Sequence, residues 1–303
     1  MGLAVHSESV LINDGGLATE LEARGNDLSD PLWSARLLMD APQEIVAVHV
    51  AYFRAGATIA TTASYQASFE GFAARGIGHD EAIRLLRRSV ELANAARDEI
   101  GAGGHADGLS VAASVGPYGA ALADGSEYRG RYGLSVAALA QWHRPRLEVL
   151  AEAGADVLAL ETVPDIDEAE ALVNLVRSAG VPAWLSYTIN GTPDGPRTRA
   201  GQPLAEAFAV AAGVPEIVAV GVNCCAPDDV LAAIRIAKIG KPVIVYPNSG
   251  ERWDGLRRAW VGPRRFSTEL ALQWMAAGAR IVGGCCRVRP ADIAELTTVL
   301  ASR

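Results

Sequence analysis

The sequence predicts a single-domain (β/α)8 TIM barrel spanning residues 1–303, and three observations carry that prediction. Eight short, β-rich apolar runs alternate with amphipathic stretches along the whole chain. Five of those stretches end in the same way, through a glycine that leads directly into the next apolar run. No linker or low-complexity segment divides the chain; the Gly-rich stretch at 101–108 and the polar stretch at 190–202 are short enough to be connections.

The candidate strands cover about 9–14, 57–63, 109–115, 156–161, 183–189, 216–224, 242–247 and 279–285. Between them, apolar residues recur at three- and four-residue spacing over 42–55, 80–100, 136–153, 166–178, 203–212, 227–237 and 267–277, the period of an amphipathic helix. The repeated junctions read AGATIATT at 55–62, AGADVLALET at 153–162, AGVPAWLSYT at 179–188, AAGVPEIVAV at 211–220 and AAGARIVGG at 276–284. Glycine takes the left-handed conformation that stops a helix, so the five junctions mark successive αβ units. Strands joined by helical crossovers run parallel and are buried on both faces. Eight units favour a closed barrel over an open doubly wound sheet.

Half of the residues are apolar, enough for a large core. Twenty-seven basic against 35 acidic residues give a net charge of -8, and no basic stripe with interleaved aromatics is present to track a phosphate backbone. The opening residues, MGLAVHSESV, lack a charged leader followed by an apolar core, and no segment approaches the roughly 18 uninterrupted apolar residues of a membrane span. The expectation is a soluble cytoplasmic protein acting on small molecules, with neither nucleic acid nor membrane as partner; oligomeric state stays open. Four cysteines are too few for a disulfide framework in a chain this long, and a reducing compartment would keep them as thiols able to bind metal.

In a barrel of this kind chemistry sits at the C-terminal ends of the strands. Those ends are polar here: Asp14, Gly15 and Gly16 after the first strand, Ser114 after the third, Glu161 and Thr162 after the fourth, Asn223 after the sixth and Asn248 after the seventh. The cysteines fall in two adjacent pairs, Cys224–Cys225 after the sixth strand and Cys285–Cys286 after the eighth. Thiolates converging from separate strands can hold a thiophilic cation such as zinc. Adjacent side chains on a regular strand point to opposite faces, so Cys285 and Cys286 can share a metal only where the backbone leaves extended geometry, which Gly283 and Gly284 ease. The same face argument allows only one of Cys224 and Cys225 as a ligand. Three thiolates would leave one tetrahedral position open, the feature that separates catalytic from structural zinc sites.

Seven spaced motifs carry a resemblance to a known family: DGGLATELEARG at 14–25, ATTASYQAS at 60–68, SVGPYGAALADGSEYRGRY at 114–132, LALETVPDIDEAEAL at 158–172, GVNCCAPDDV at 221–230, YPNSGE at 246–251 and GGCCR at 283–287. From about residue 10 to 297 the chain resembles the zinc-dependent homocysteine S-methyltransferases. That family includes enzymes using S-methylmethionine or S-adenosylmethionine, the betaine-homocysteine methyltransferases and the homocysteine module of cobalamin-dependent methionine synthase. The resemblance implies Zn2+ on Cys224, Cys285 and Cys286, with Cys225 additional to the pattern. It implies Asp14 and Glu161 at the amino group of homocysteine, and the backbone amides of Gly15 and Gly16 are candidates for its carboxylate. The long match at 114–132 is more similar to the S-methylmethionine branch, making Tyr118, Asp124 and Glu127 candidate donor contacts. Asn223 and Asn248, at two of the strand ends, are separate candidates for groups that support the site. The expected reaction moves a methyl group from a sulfonium donor to the homocysteine thiol, giving methionine.

The chemistry is consistent with those residue types. A free aliphatic thiol has a pKa of roughly 8.5, so a thiol acceptor needs activation at neutral pH, and coordination to zinc deprotonates it. An anionic thiolate shell also attracts a sulfonium donor. Other readings of the same residues are a selenol or other thiol as acceptor, and a non-catalytic zinc-binding or thiol-redox protein on the same barrel. Asp14 could simply form an Asp-Gly turn, and Asn223 and Asn248 could cap loops. The five histidines, at 6, 49, 79, 105 and 143, read as surface or ordinary packing residues, and the six tryptophans, at 33, 142, 184, 253, 260 and 274, as core or rim packing rather than a cation cage.

Overall fold

The computed structural model describes residues 10–105, 108–254 and 259–301. His6, the residue-9 start of the first candidate strand, and the side chains of His105 and Trp253 lie outside the described residues. Eight parallel strands form one sheet: β1 (Leu11–Ile12), β2 (Ile59–Thr61), β3 (Ser110–Val115), β4 (Val157–Val163), β5 (Ala183–Tyr187), β6 (Ile217–Asn223), β7 (Val243–Tyr246) and β8 (Ala279–Val282). Their spatial order is β1-β8-β7-β6-β5-β4-β3-β2. The seam between β1 and β2 is closed by a parallel bridge from Asn13 to Ile59, where the Thr58 amide donates to the Ile12 carbonyl at 2.7 Å. The fold is therefore the (β/α)8 barrel that the eight-unit pattern predicts.

The period-two alternation of each strand sorts its residues between two cores. On β4, Leu158 and Leu160 face the helical layer while Val157 and Ala159 face the barrel axis. Trp184, Ile244, Tyr246 and Ile281 from β5, β7 and β8 join Ala112 and Ala219 in the axial core. Continuing each inward line by one step reaches the C-terminal rim, and that is how Ser114 and Glu161 come to face the barrel mouth. The five predicted glycine stops all adopt left-handed backbone: φ is +95° at Gly56, +87° at Gly154, +64° at Gly180, +69° at Gly213 and +119° at Gly278.

Several elements differ from the sequence expectation. The strands mostly run shorter than the apolar runs, because the chain leaves the ladder before its hydrophobicity ends. Short helices at Leu17–Ala23, Phe69–Ala73 and Tyr118–Leu122 decorate the rim, and a helix at Pro290–Ala301 closes the chain. The 190–202 stretch, expected as a plain connection, contains a hairpin pairing Ile189–Asn190 with Arg197–Thr198, and a second hairpin pairs Arg252–Asp254 with Ala259–Val261. Ladders of two or three residues are too short for a period to be read.

Candidate metal centre and active site

The three cysteines named by the motif converge. The Sγ atoms of Cys224, Cys285 and Cys286 all lie within 4.8 Å of one another, and those of Cys224 and Cys286 are 3.9 Å apart. A tetrahedral metal with Zn–S bonds of about 2.3 Å separates its sulfurs by about 3.8 Å, so the cluster fits a zinc-sized ion with little adjustment. Each sulfur reaches this point because the backbone leaves the strand. Cys224 follows β6 with φ +48°, an unusual conformation for a residue with a side chain. Cys285 and Cys286 enter a turn closed by the Val288 amide donating to the Cys285 carbonyl at 3.1 Å.

Backbone anchors hold the cluster. The Cys285 amide donates to the Pro247 carbonyl at 2.7 Å, the Cys286 amide to Asn248 Oδ1 at 3.1 Å, and the Thr188 hydroxyl to the Cys224 carbonyl at 3.1 Å. The turn after β1 is laced to the same segment, with the Gly284 amide on the Asp14 carbonyl and the Gly16 amide on the Val288 carbonyl, both at 2.9 Å. A Cβ on Gly16 would stand 2.7 Å from the Cys285 carbonyl oxygen, and one on Gly284 would stand 2.1 Å from Val288. These two glycines permit the close approach that puts Asp14 beside the cysteines.

A cavity of about 270 Å3 opens above the cluster, lined by Asp14, Gly15, Gly16, Glu161 and the three cysteines among others. Among the described residues that line it, none is basic. Asp14 is buried, and burial pushes its carboxyl well above the usual range despite the Thr61 amide donating to Oδ2 at 2.8 Å. Burial likewise pushes Glu161 up to about 7, opposed by hydrogen bonds from Ser114 and Tyr246. The nearby negative charge of Glu161 further raises Asp14. Hydrogen bonds from the Cys285 and Cys286 thiols hold Cys224 well below the ordinary thiol range, while those same contacts push Cys285 and Cys286 up. Two buried carboxyls and a thiol cluster, in a cavity with no basic lining residue among those described, form a pocket complementary to a metal cation and an ammonium group.

The other predicted residues separate into distinct roles. Asn223 is buried, accepts from the Thr162 amide and the Ser186 hydroxyl at 2.8 Å, and donates to the Thr162 hydroxyl at 2.8 Å, so it fixes the backbone after Glu161. Asn248 supports Cys286, as described. Cys225 lies outside the cluster, and burial pushes its thiol up. Glu127 lines a second, outer cavity of about 890 Å3 that shares Trp33, Tyr65, Tyr128, Trp260 and Cys286 with the first. Tyr118 and Asp124 line neither cavity. The Tyr118 ring packs instead against Tyr132 and Trp142, with centroids 5.1 and 5.0 Å away. Sequence reasoning missed Tyr128, whose hydroxyl lies 3.2 Å from Cys224 Sγ, and also Tyr246 and Arg199, and it gave no role to Thr61 and Ser114. Ser114 and Thr61 carried a signal, being polar ends of apolar strands. Trp33 and Trp260, read from sequence as packing residues, line both cavities.

Fold and site together define a (β/α)8 enzyme with a three-thiol cluster at its C-terminal rim that can hold a metal. Residues 11–300 match the homocysteine S-methyltransferase family. The chain is 48% identical over 296 residues to the homocysteine S-methyltransferase of Escherichia coli, covering 95% of this chain and 94% of that protein. It is 43% identical over 311 residues to the selenocysteine Se-methyltransferase of Brassica oleracea, covering 96% and 89%. The crystal structure of the E. coli homocysteine methyltransferase MmuM in its metallated form superposes with a TM-score of 0.86 at 46% identity, over 96% of each chain. The chain belongs to the homocysteine S-methyltransferase family. Among the described residues no helix is long and apolar enough to cross a membrane.

Proposed function

We propose that this enzyme, a methyltransferase that converts homocysteine to methionine, takes its methyl group from a sulfonium donor and activates its acceptor at Zn2+ held by Cys224, Cys285 and Cys286. The observation that carries the reading is the convergence of three thiols with two buried carboxyls in one cavity that has no basic lining residue among those described. Bound zinc would supply Lewis acidity, keeping the acceptor sulfur as a nucleophilic thiolate at neutral pH. The whole barrel serves as the homocysteine-binding unit, and a cytoplasmic setting keeps its cysteines reduced.

In this reading Asp14 and Glu161 take the amino group of homocysteine as carboxylates, and the ammonium offsets the burial that raises their pKa. Of the two candidate backbone amides, that of Gly16 is already taken by the Val288 carbonyl, which leaves the Gly15 amide for the carboxylate. The acceptor proton leaves to solvent before transfer. An in-line displacement then forms the new sulfur–carbon bond while the bonding pair of the old one goes to the donor sulfur, which departs as a neutral thioether. The anionic cysteines attract the positive donor and release the neutral product. No general base is needed at the methyl group.

The test combines metal content with turnover. Purified protein is expected to hold about one zinc per chain, as a three-thiolate site predicts, and to methylate homocysteine with S-methylmethionine or S-adenosylmethionine but not betaine. Full methylation by metal-free protein would overturn the mechanism. Absence of proton release when homocysteine binds near neutral pH would overturn the thiolate. The Brassica relative favours a second acceptor of the same chemistry, a selenol such as selenocysteine, which the same assay resolves.

A further inference from the structure

Two side chains of the outer cavity, Glu127 and Arg199, form no salt bridge among the described residues. Glu127 stands in the short turn Ser126–Tyr128, and its buried Oε2 has no hydrogen-bond partner. No ion pair is formed by Glu127 among the described residues, and burial pushes its carboxyl up to about 7. Across the same cavity, Arg199 anchors its guanidinium by donating from Nε to the Thr188 hydroxyl at 3.2 Å and from one terminal nitrogen to Asn190 Oδ1. The guanidinium carbon lies 5.3 Å from the centroid of the Tyr128 ring, and among the described residues no carboxylate pairs with it. The acid thus precedes, and the base lies over, one aromatic residue whose hydroxyl reaches Cys224.

An unpaired carboxylate in a cavity wall is costly unless a ligand cation completes it, and a stacked guanidinium is suited to a carboxylate. Of the other acids in its wall, Asp30 pairs with Arg75, Glu251 pairs with Arg287 and Asp229 accepts from the Gly191 amide, so Glu127 and Arg199 are the groups of opposite sign that a zwitterion would complete. The cavity's other end, at Tyr65, Tyr128 and Cys286, is shared with the acceptor cavity, where aromatic faces suit a sulfonium. Resting on the sulfonium-donor reading above, we infer that Glu127 binds the α-ammonium and Arg199 the α-carboxylate of a sulfonium amino acid, so that the enzyme selects donors carrying a free amino-acid end. Both are positioning and specificity residues that take no part in the bond changes at the methyl group.

The experiment uses the zinc-loaded full chain with two donors, S-methylmethionine and dimethylsulfoniopropionate, which has the sulfonium and carboxylate but lacks the α-ammonium. Turnover and calorimetric binding are measured for wild type, Glu127→Gln and Arg199→Met. Loss of a charged hydrogen bond predicts that Glu127→Gln weakens S-methylmethionine by about tenfold or more in both KM and Kd, while the KM for homocysteine and the binding of dimethylsulfoniopropionate change less than about twofold. Arg199→Met should weaken both donors. Equal loss of both donors in Glu127→Gln, or an effect on kcat with donor KM and Kd unchanged, overturns the assignment. If wild type binds S-methylmethionine through Glu127 yet never methylates homocysteine, the transfer reading fails and this one stands. If homocysteine is methylated and Glu127→Gln leaves donor binding intact, the reverse holds.

Discussion

Glu161 and Glu168 are both buried glutamates of the same βα unit, one at the end of β4 and one on the helix Ile166–Ala179, yet their surroundings are opposite. Glu168 meets the protein's own donors at one oxygen: its Oε1 accepts from His143 Nε2 at 2.8 Å and from the Tyr118 amide, while its buried Oε2 has no hydrogen-bond partner. The buried Arg146 lies in the same network, its guanidinium also donating to the Gly116 carbonyl and the Ala67 carbonyl, and remains a cation with its pKa lowered by burial to about 10. Glu161 has only hydroxyl donors, Ser114 and Tyr246, and faces further negative charge at Cys224 and Asp14. A buried acid that the fold itself neutralises is architecture, here anchoring the loop after β3. A buried acid set beside other acids is complementary to cations, which is why Glu161 and not Glu168 enters the proposed site.

The largest break in that contrast would come from the thiols, which concentrate the negative charge. Cys285→Ser or Cys224→Ala is expected to lose bound zinc and to lower kcat by about a thousandfold or more, because only two sulfurs would remain for a metal that needs at least three protein ligands. Atomic absorption on the same sample that is assayed checks this. A variant that keeps stoichiometric zinc and activity would remove the cluster from the mechanism.

The two glutamates themselves give the next test, because the same substitution should act in opposite directions. Glu168→Gln leaves Arg146 buried with a neutral neighbour and should destabilise the fold by roughly 3 kcal/mol in a denaturant titration. Glu161→Gln should raise the homocysteine KM by about tenfold or more and stabilise the substrate-free protein above neutral pH. The sign follows from linkage: a carboxyl raised from 4.5 to about 7 binds more protons folded than unfolded, so it costs stability as pH rises between those values. Wild-type stability should therefore fall across pH 4.5 to 7 by an amount on the order of 1–3 kcal/mol that Glu161→Gln removes. A Glu161→Gln protein with the same pH profile as wild type would mean that the carboxyl is not held protonated by burial.

The barrel and the position of Glu161 were legible in the sequence because strand periodicity does the placing, whereas Asp14 and the three cysteines stand where the chain leaves its strands and were named by the family motifs. Once β4 is phased by Leu158 and Leu160 facing the helices, Glu161 has to face the mouth. The rim loops have no such period. Tyr118 follows Pro117 into a five-residue helix that turns its ring toward Trp142, whereas Tyr128, on a single turn further along the same motif, reaches Cys224. Arg199 joins the outer cavity only through a hairpin of two paired residues per strand, which the composition of 190–202 does not reveal.

The smallest effect expected is also the one that separates the two cysteine pairs. Cys225 sits next to a metal-binding candidate and lines the outer cavity, but its thiol is pushed up by burial and takes no place among the clustered sulfurs. Cys225→Ala should leave zinc content unchanged and cost about 1 kcal/mol, the scale of a small buried group. Asn248→Ala, which touches neither substrate pocket's carboxyls, should do more to the metal than removal of that neighbouring thiol. It frees the Cys286 amide from its acceptor at 3.1 Å, and loss of such support typically weakens metal binding by about 10- to 100-fold. Competition with a chromogenic chelator ranks the two variants directly. If Cys225→Ala proved the weaker zinc binder, adjacency in sequence rather than the turn geometry at Cys224 would define the centre.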